Sequence, residues 1–133
     1  MKTIELTIDE LFKPFTEIQL NGTIVDLHND YECVEIACNL QNKSLMFVFG
    51  ENNYFRKKVW LSFSGVEMIN STFLLDNILF PKTLDNFYKG RFLNAQNELK
   101  EQNPEGKNCY YLDFYEGQSC EFLAEKINFS IEI

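Results

Sequence analysis

The chain has 133 residues, 45% of them hydrophobic, with Phe at 13 positions and Tyr at 6. That length suits a single domain, residues 1–133, with a sizeable core, and the aromatic content excludes a disordered chain. Asp and Glu number 20 against 12 Lys plus Arg, a formal net charge of −8, which disfavours nucleic-acid phosphates and anionic lipid and favours a basic protein partner or a cation.

The start of the chain, Met1 to Glu10, has no apolar run, so no secretory signal is expected. No stretch approaches the length of an apolar membrane span, and a cytoplasmic location follows as the expectation. Thr7-Ile8-Asp9-Glu10 has the form of a capping box, with Ile8, Leu11, Phe12 and Phe15 at helical spacing. Pro14 limits that helix to a short turn or two.

Glu17 to His28 reads as the first long strand, with a local distortion at Asn21-Gly22 preferred over a hairpin with very short arms. His28-Asn29-Asp30 is a polar turn. Tyr31 to Leu40 alternates, with Val34, Ile36, Cys38 and Leu40 on one face and Glu35 and Asn39 on the other. Leu45, Phe47 and Phe49 form the next face, with Met46 and Val48 behind them, the signature of a strand covered on both sides. Tyr54 to Val66 places Phe55, Lys57, Val59, Leu61 and Phe63 in phase and Trp60, Ser62 and Ser64 opposite, and Gly65 relieves crowding or makes a bend.

Met68 to Phe80 fits a strand pair or an irregular cover. Thr83 to Leu93 is predicted helical, because Leu84, Phe87, Tyr88 and Arg91 fall on one stripe, and Ala95 and Leu99 support a second short helix. Pro104-Glu105-Gly106 is an exposed turn. Asn108 to Tyr115 and Ser119 to Ile133 are the last strand regions, joined in hairpin fashion through Glu116-Gly117-Gln118. The apolar positions run even through Cys120, Phe122 and Ala124, then odd through Ile127, Phe129 and Ile131, which predicts a bulge or break near Glu125. The expected fold is mainly β: a twisted antiparallel sheet folded into a small sandwich or open barrel, with one or two short helices. Closely spaced strands favour antiparallel order, since parallel neighbours need long crossovers.

The four cysteines, Cys33, Cys38, Cys109 and Cys120, lack the paired spacing of a zinc site, and the lone His28 completes no ligand set. They read as reduced thiols packed as small hydrophobes. Cys33 and Cys38 are an odd number apart, so a regular strand turns them to opposite faces. No cofactor or metal is implied, and no nucleophile lies beside His28, so no catalytic set is assigned.

The C-terminal hairpin carries the candidate partner-binding residues: Tyr111, Asp113, Tyr115, Glu121 and Glu125. Tyr111, Asp113 and Tyr115 share a strand face by period two, while Glu121 and Glu125 add charge from the returning strand. An aromatic anchor rimmed by carboxylates suits a protein interface; the alternative packs both tyrosines into the core and leaves the acids to solvate the rim.

The segments Trp60-Leu61-Ser62-Phe63-Ser64-Gly65-Val66, Tyr111-Leu112-Asp113-Phe114-Tyr115-Glu116-Gly117 and Glu121-Phe122-Leu123-Ala124-Glu125 resemble small bacterial β-domain proteins of uncharacterised or toxin-immunity type. The resemblance implies a strand, a covering segment and a terminal hairpin, and a non-enzymatic binding protein, including one that neutralises a basic toxin domain. It carries no catalytic residues. A small-ligand-binding, barrel-like protein or an enzyme, with a pocket lined by Phe47, Phe63, Tyr111 and Phe122, is the alternative. Self-association through an edge strand is a third.

Overall fold

Short alternating segments separated by polar turns build strands throughout the computed structural model, which describes residues 2–5, 17–20, 23–53, 57–72, 81–115 and 117–132. In chain order the strands are β1 (Lys2–Glu5), β2 (Glu17–Leu20), β3 (Thr23–Asp26), β4 (Tyr31–Asn39), β5 (Ser44–Glu51), β6 (Lys58–Ser64), β7 (Glu67–Ser71), β8 (Leu84–Gly90), β9 (Phe92–Leu93), β10 (Leu99–Lys100), β11 (Asn108–Phe114), β12 (Ser119–Ala124) and β13 (Lys126–Ile131). All pairings are antiparallel. They form a five-stranded sheet in the order β1-β13-β6-β5-β4, a four-stranded sheet in the order β7-β12-β11-β8, and the two-stranded ribbons β2-β3 and β9-β10.

The two larger sheets face each other across an aromatic core. Register aligns Ile127, Phe63, Leu45 and Cys38 in one inward row of the five-stranded sheet. Phe129, Leu61, Phe47 and Ile36 form the next row, and Ile131, Val59, Phe49 and Cys33 the third. The four-stranded sheet answers with Tyr110, Leu112, Phe114, Cys120 and Phe122, all buried. Phe63 packs edge-to-face on Phe122, with ring centroids 4.7 Å apart, and lies 5.5 Å from Tyr110. Ring quadrupoles favour such tilted contacts, which add to the burial term.

The chain passes between the sheets twice at one corner. It leaves β6 through Gly65 and Val66 and returns from β12 through Glu125 to β13. The Glu125 amide donates to the Ser64 carbonyl at 2.9 Å, tying the two passages together. Gly65 has φ +64°, and a Cβ there would lie 2.6 Å from Glu125 Cγ. Both sequence signals at this corner are met. The reversal of apolar phase at Glu125 arises because the strand changes sheet and must turn its other set of side chains inward.

Three bulges explain where periodicity misleads. In β8, Phe114 pairs with Leu84 while Asp113 pairs with Asn86, leaving Asp85 as the extra residue. Leu84 and Phe87 therefore both face the core at a spacing of three, which imitates a helix. The helix expected over Thr83 to Leu93 is thus strand β8 followed by β9, and the one expected at Ala95 and Leu99 is a turn leading into β10. Among the described residues there is no helix, and the sheets do not close into a barrel. The capping-box segment Thr7 to Phe15 lies outside the described residues.

In β4 the extra residue is Val34, since Cys33 pairs with Phe49 and Glu35 with Val48. Tyr31 and Cys33 are buried on the core side before the bulge, and Ile36 and Cys38 pack inward after it. Cys33 and Cys38 consequently share a face, against the expectation from their odd spacing. They remain unbridged because their partners Phe49 and Leu45 are four strand positions apart, about 13 Å, far beyond disulfide reach. All four cysteines are free. In β7 the extra residue is Ile69.

The single strand expected over Glu17 to His28 is also corrected, with Asn21-Gly22 itself outside the described residues. Leu20 pairs with Thr23 and Glu17 with Asp26, so β2 and β3 are the arms of a hairpin and not one distorted strand. Four-residue arms suffice because Ile18 and Val25 are buried in the common core, at 1% and 3% exposure.

Candidate functional site

The outward face of the four-stranded sheet collects polar and aromatic side chains in rows set by register. One row runs Asn70, Glu121, Tyr111, Tyr88; the next runs Ser119, Asp113, Asn86. Tyr88 and Tyr111 stack with centroids 5.0 Å apart and planes tilted by 33°. Tyr88 is 45% exposed, so the pair presents an open ring surface at the β8 edge.

Asp113 is held in place by its neighbours. The Tyr111 hydroxyl donates to its Oδ2 at 3.1 Å, and Asn86 Nδ2 donates to Oδ1 at 3.0 Å and Oδ2 at 3.4 Å. Burial pushes the Tyr88 phenol up, with the charges of Asp113 and Glu121 adding to the shift. Burial also raises the Tyr111 phenol, followed by its hydrogen bond to Asp113. Both shifts favour the protonated, neutral phenol.

Of the five hairpin residues singled out from sequence, the structure brings Tyr111, Asp113 and Glu121 onto this face. Tyr115 lies past the end of β11, 79% exposed, its amide donating to the Thr83 carbonyl. Glu125 sits at the sheet-switching corner over Gly65, about 13 Å along the chain from Glu121. Tyr110 points inward, 3% exposed, and Trp60 belongs to the other sheet. Asn86 and Tyr88 complete the face and were hidden by the helical reading of their segment. The alternation of Asn86, Tyr88 and Gly90 against Phe87 and Lys89 is the signal that finds them.

The other candidates resolve into structural roles. Asp26 Oδ1 accepts from the backbone amides of His28 and Asn29, and His28 Nδ1 donates to the Leu84 carbonyl at 2.6 Å, which makes it a turn histidine. Phe47, Phe63 and Phe122 fill the inter-sheet core, while Tyr111 lies on the far side of its sheet, so those four residues do not line one chamber. An open cleft of about 500 Å³ lies elsewhere, bordered by Ile24, Val25, Tyr31, Glu51, Lys57 and Glu132. Among the described residues no group of three or more His, Cys, Asp or Glu could hold a metal ion, and no helix is long and apolar enough to cross a membrane.

The chain matches no protein-family model, no curated protein and no solved structure.

Proposed function

We propose that the chain is a non-enzymatic protein-binding domain that engages a basic partner through the outward face of its four-stranded sheet. The carrying observation is the stacked Tyr88–Tyr111 pair with Asp113 fixed beside it. Tyrosine gives large contact area at low rotamer entropy, and carboxylates steer a basic surface. The net charge of −8 extends that steering over the whole molecule. A toxin domain is the partner implied by the resemblance to immunity-type proteins.

The test is comparative capture from the native host. Wild type and a Tyr88→Ser/Asp113→Lys variant serve as baits. A basic protein retained by the first, released by the second, and lost progressively with salt supports the reading. No difference between the baits overturns it. For a captured toxin, co-expression with the wild-type chain should restore growth and the variant should not.

The cleft beside Tyr31 favours a second reading, a small-ligand binder. Its mixed walls set Ile24 and Val25 against Tyr31, Glu51, Lys57 and Glu132. Here a ligand screen by thermal shift should find binders whose effect is lost in Tyr31→Phe or Lys57→Ala, and a silent screen would count against it.

A further inference from the structure

The Tyr88–Tyr111 face has the chemistry of one particular side chain. An ionised carboxylate offers about four acceptor positions, and Asp113 uses part of that capacity on Tyr111 and Asn86. The Glu121 side chain, opposite Tyr111, makes no hydrogen bond or ion pair with the other described residues. The two rows Asn70-Glu121-Tyr111-Tyr88 and Ser119-Asp113-Asn86 contain no basic residue. The nearby lysines are engaged elsewhere: Lys89 alternates to the opposite face of β8, its Nζ 3.7 Å from Glu101, and Lys107 Nζ lies 2.7 Å from Glu67. The face thus joins two carboxylates that have no basic partner among the described residues to an exposed aromatic plane.

We infer that this face receives an arginine side chain from the basic protein partner, its guanidinium lying on the Tyr88 ring and donating to Asp113. The inference rests on the protein-binding reading above. Charge complementarity selects a cation, and the flat ring selects a flat one. Guanidinium is planar, more weakly hydrated than ammonium, and stacks on aromatic faces while its edge donates to a carboxylate. Lysine offers a compact, strongly hydrated charge and gains less from the ring.

The full chain, with 13C-labelled tyrosine, is titrated with N-acetyl-arginine amide and separately with N-acetyl-lysine amide, following the ring signals by NMR. The arginine compound should shift Tyr88 and Tyr111 and half-saturate at a concentration lower by about threefold or more than the lysine compound. Asp113→Asn should remove that preference, and Glu35→Gln, on the other sheet, should retain it. Tyr88→Leu is the second variant, removing the ring and leaving the carboxylates; it should bring the two compounds level. Equal saturation by both compounds in the wild type, or a preference that survives Asp113→Asn or Tyr88→Leu, overturns the arginine assignment. Its failure is separable from failure of the protein-binding reading: capture lost in Tyr88→Ser/Asp113→Lys with no arginine preference leaves the face but removes the arginine. Arginine preference without differential capture leaves the slot but removes the proposed docking.

Discussion

At the scale of single residues, Gly65 and the buried thiols are the most exposed to test. Gly65 occupies the left-handed region, where any side chain meets its own backbone, at a cost of about 1–2 kcal/mol. The contact of a new Cβ with Glu125 is with flexible side-chain atoms of an exposed residue, which can swing aside. Gly65→Ala should therefore lower stability by about 1–2 kcal/mol in urea denaturation, and adding Glu125→Ala should recover only a minor share. Full recovery would show that crowding, not φ, dictates glycine. Burial pushes the Cys33 and Cys120 thiols up to about 12 and Cys109 to about 11, from an ordinary value of 9.0. Tyr31 rises to about 12, first through burial and then through Glu51. For groups raised in the fold, the unfolded chain loses its protons first. Their stabilising effect is intact below about pH 9 and is lost as pH climbs toward the folded values. The urea midpoint should hold between about pH 7 and 8 and fall by about pH 10.5, less steeply in Cys33→Ala. A midpoint that stays flat to that pH would contradict these shifts. Native alkylation should reach Cys38 first, the one partly exposed thiol, and all four after denaturation.

At the scale of elements, the bulges fall where a sheet is most vulnerable. The edge strands of the two larger sheets are β1, β4, β7 and β8. Val34, Ile69 and Asp85 bulge β4, β7 and β8 respectively, while β5, β6, β11, β12 and β13 keep regular register with one another. Bulges twist an edge and spoil its template for a second chain. The backbone bridge between Cys33 and Lys82, with both amides donating at 2.7 and 2.9 Å, further occupies the β4 edge. The protein should stay monomeric in light scattering across a wide concentration range. Deleting Asp85 leaves Leu84 and Phe87 two apart and still on one face, so the core survives while the edge flattens. That variant should fold and associate as concentration rises, and a deletion variant as monomeric as the parent would remove the protective role. The same bulges set the limit of what the sequence discloses. β5, β6, β11 and β12 are legible because unbroken alternation maps directly onto burial. β8 is not, because one extra residue converts period two into an apparent period near three and a half. Tyr111, Asp113 and Glu121 were legible as a group for the first reason, and Tyr88 and Asn86 were lost for the second.

At the scale of the whole molecule, the two sheets share one core and should fold as one unit. Phe63 leans from the five-stranded sheet onto Phe87, Tyr110 and Phe122 of the other, at 6.1, 5.5 and 4.7 Å. It also contacts Phe47 of its own sheet at 6.0 Å. The chain crosses between sheets at Gly65 and at Glu125, so the whole four-stranded sheet, Glu67 to Ala124, is inserted between β6 and β13 of the five-stranded sheet. Strand β13 follows β12 directly yet pairs with β6 and β1. This long-range order is the part of the fold that alternation alone does not reveal; the phase reversal at Glu125 marks the place but not the new partner. Its consequence is measurable with the natural probes. Trp60, the single tryptophan, reports on the five-stranded sheet, whereas Tyr88, Tyr110 and Tyr111 lie on the other, and a Tyr31→Phe background removes the tyrosine of β4. Trp60 fluorescence, tyrosine near-ultraviolet circular dichroism and far-ultraviolet circular dichroism should therefore trace one coincident urea transition. Phe63→Leu should move all three by the same amount, with a loss of about 1–2 kcal/mol for the shape change and ring contacts. In a double-mutant cycle with Phe122→Leu, the pair should couple by about 0.5–1.5 kcal/mol, because each ring packs on the other. If Trp60 and the tyrosines instead melt at separate midpoints, or the two substitutions add independently, the sheets are two cooperative units in contact and the shared aromatic core is not what binds them.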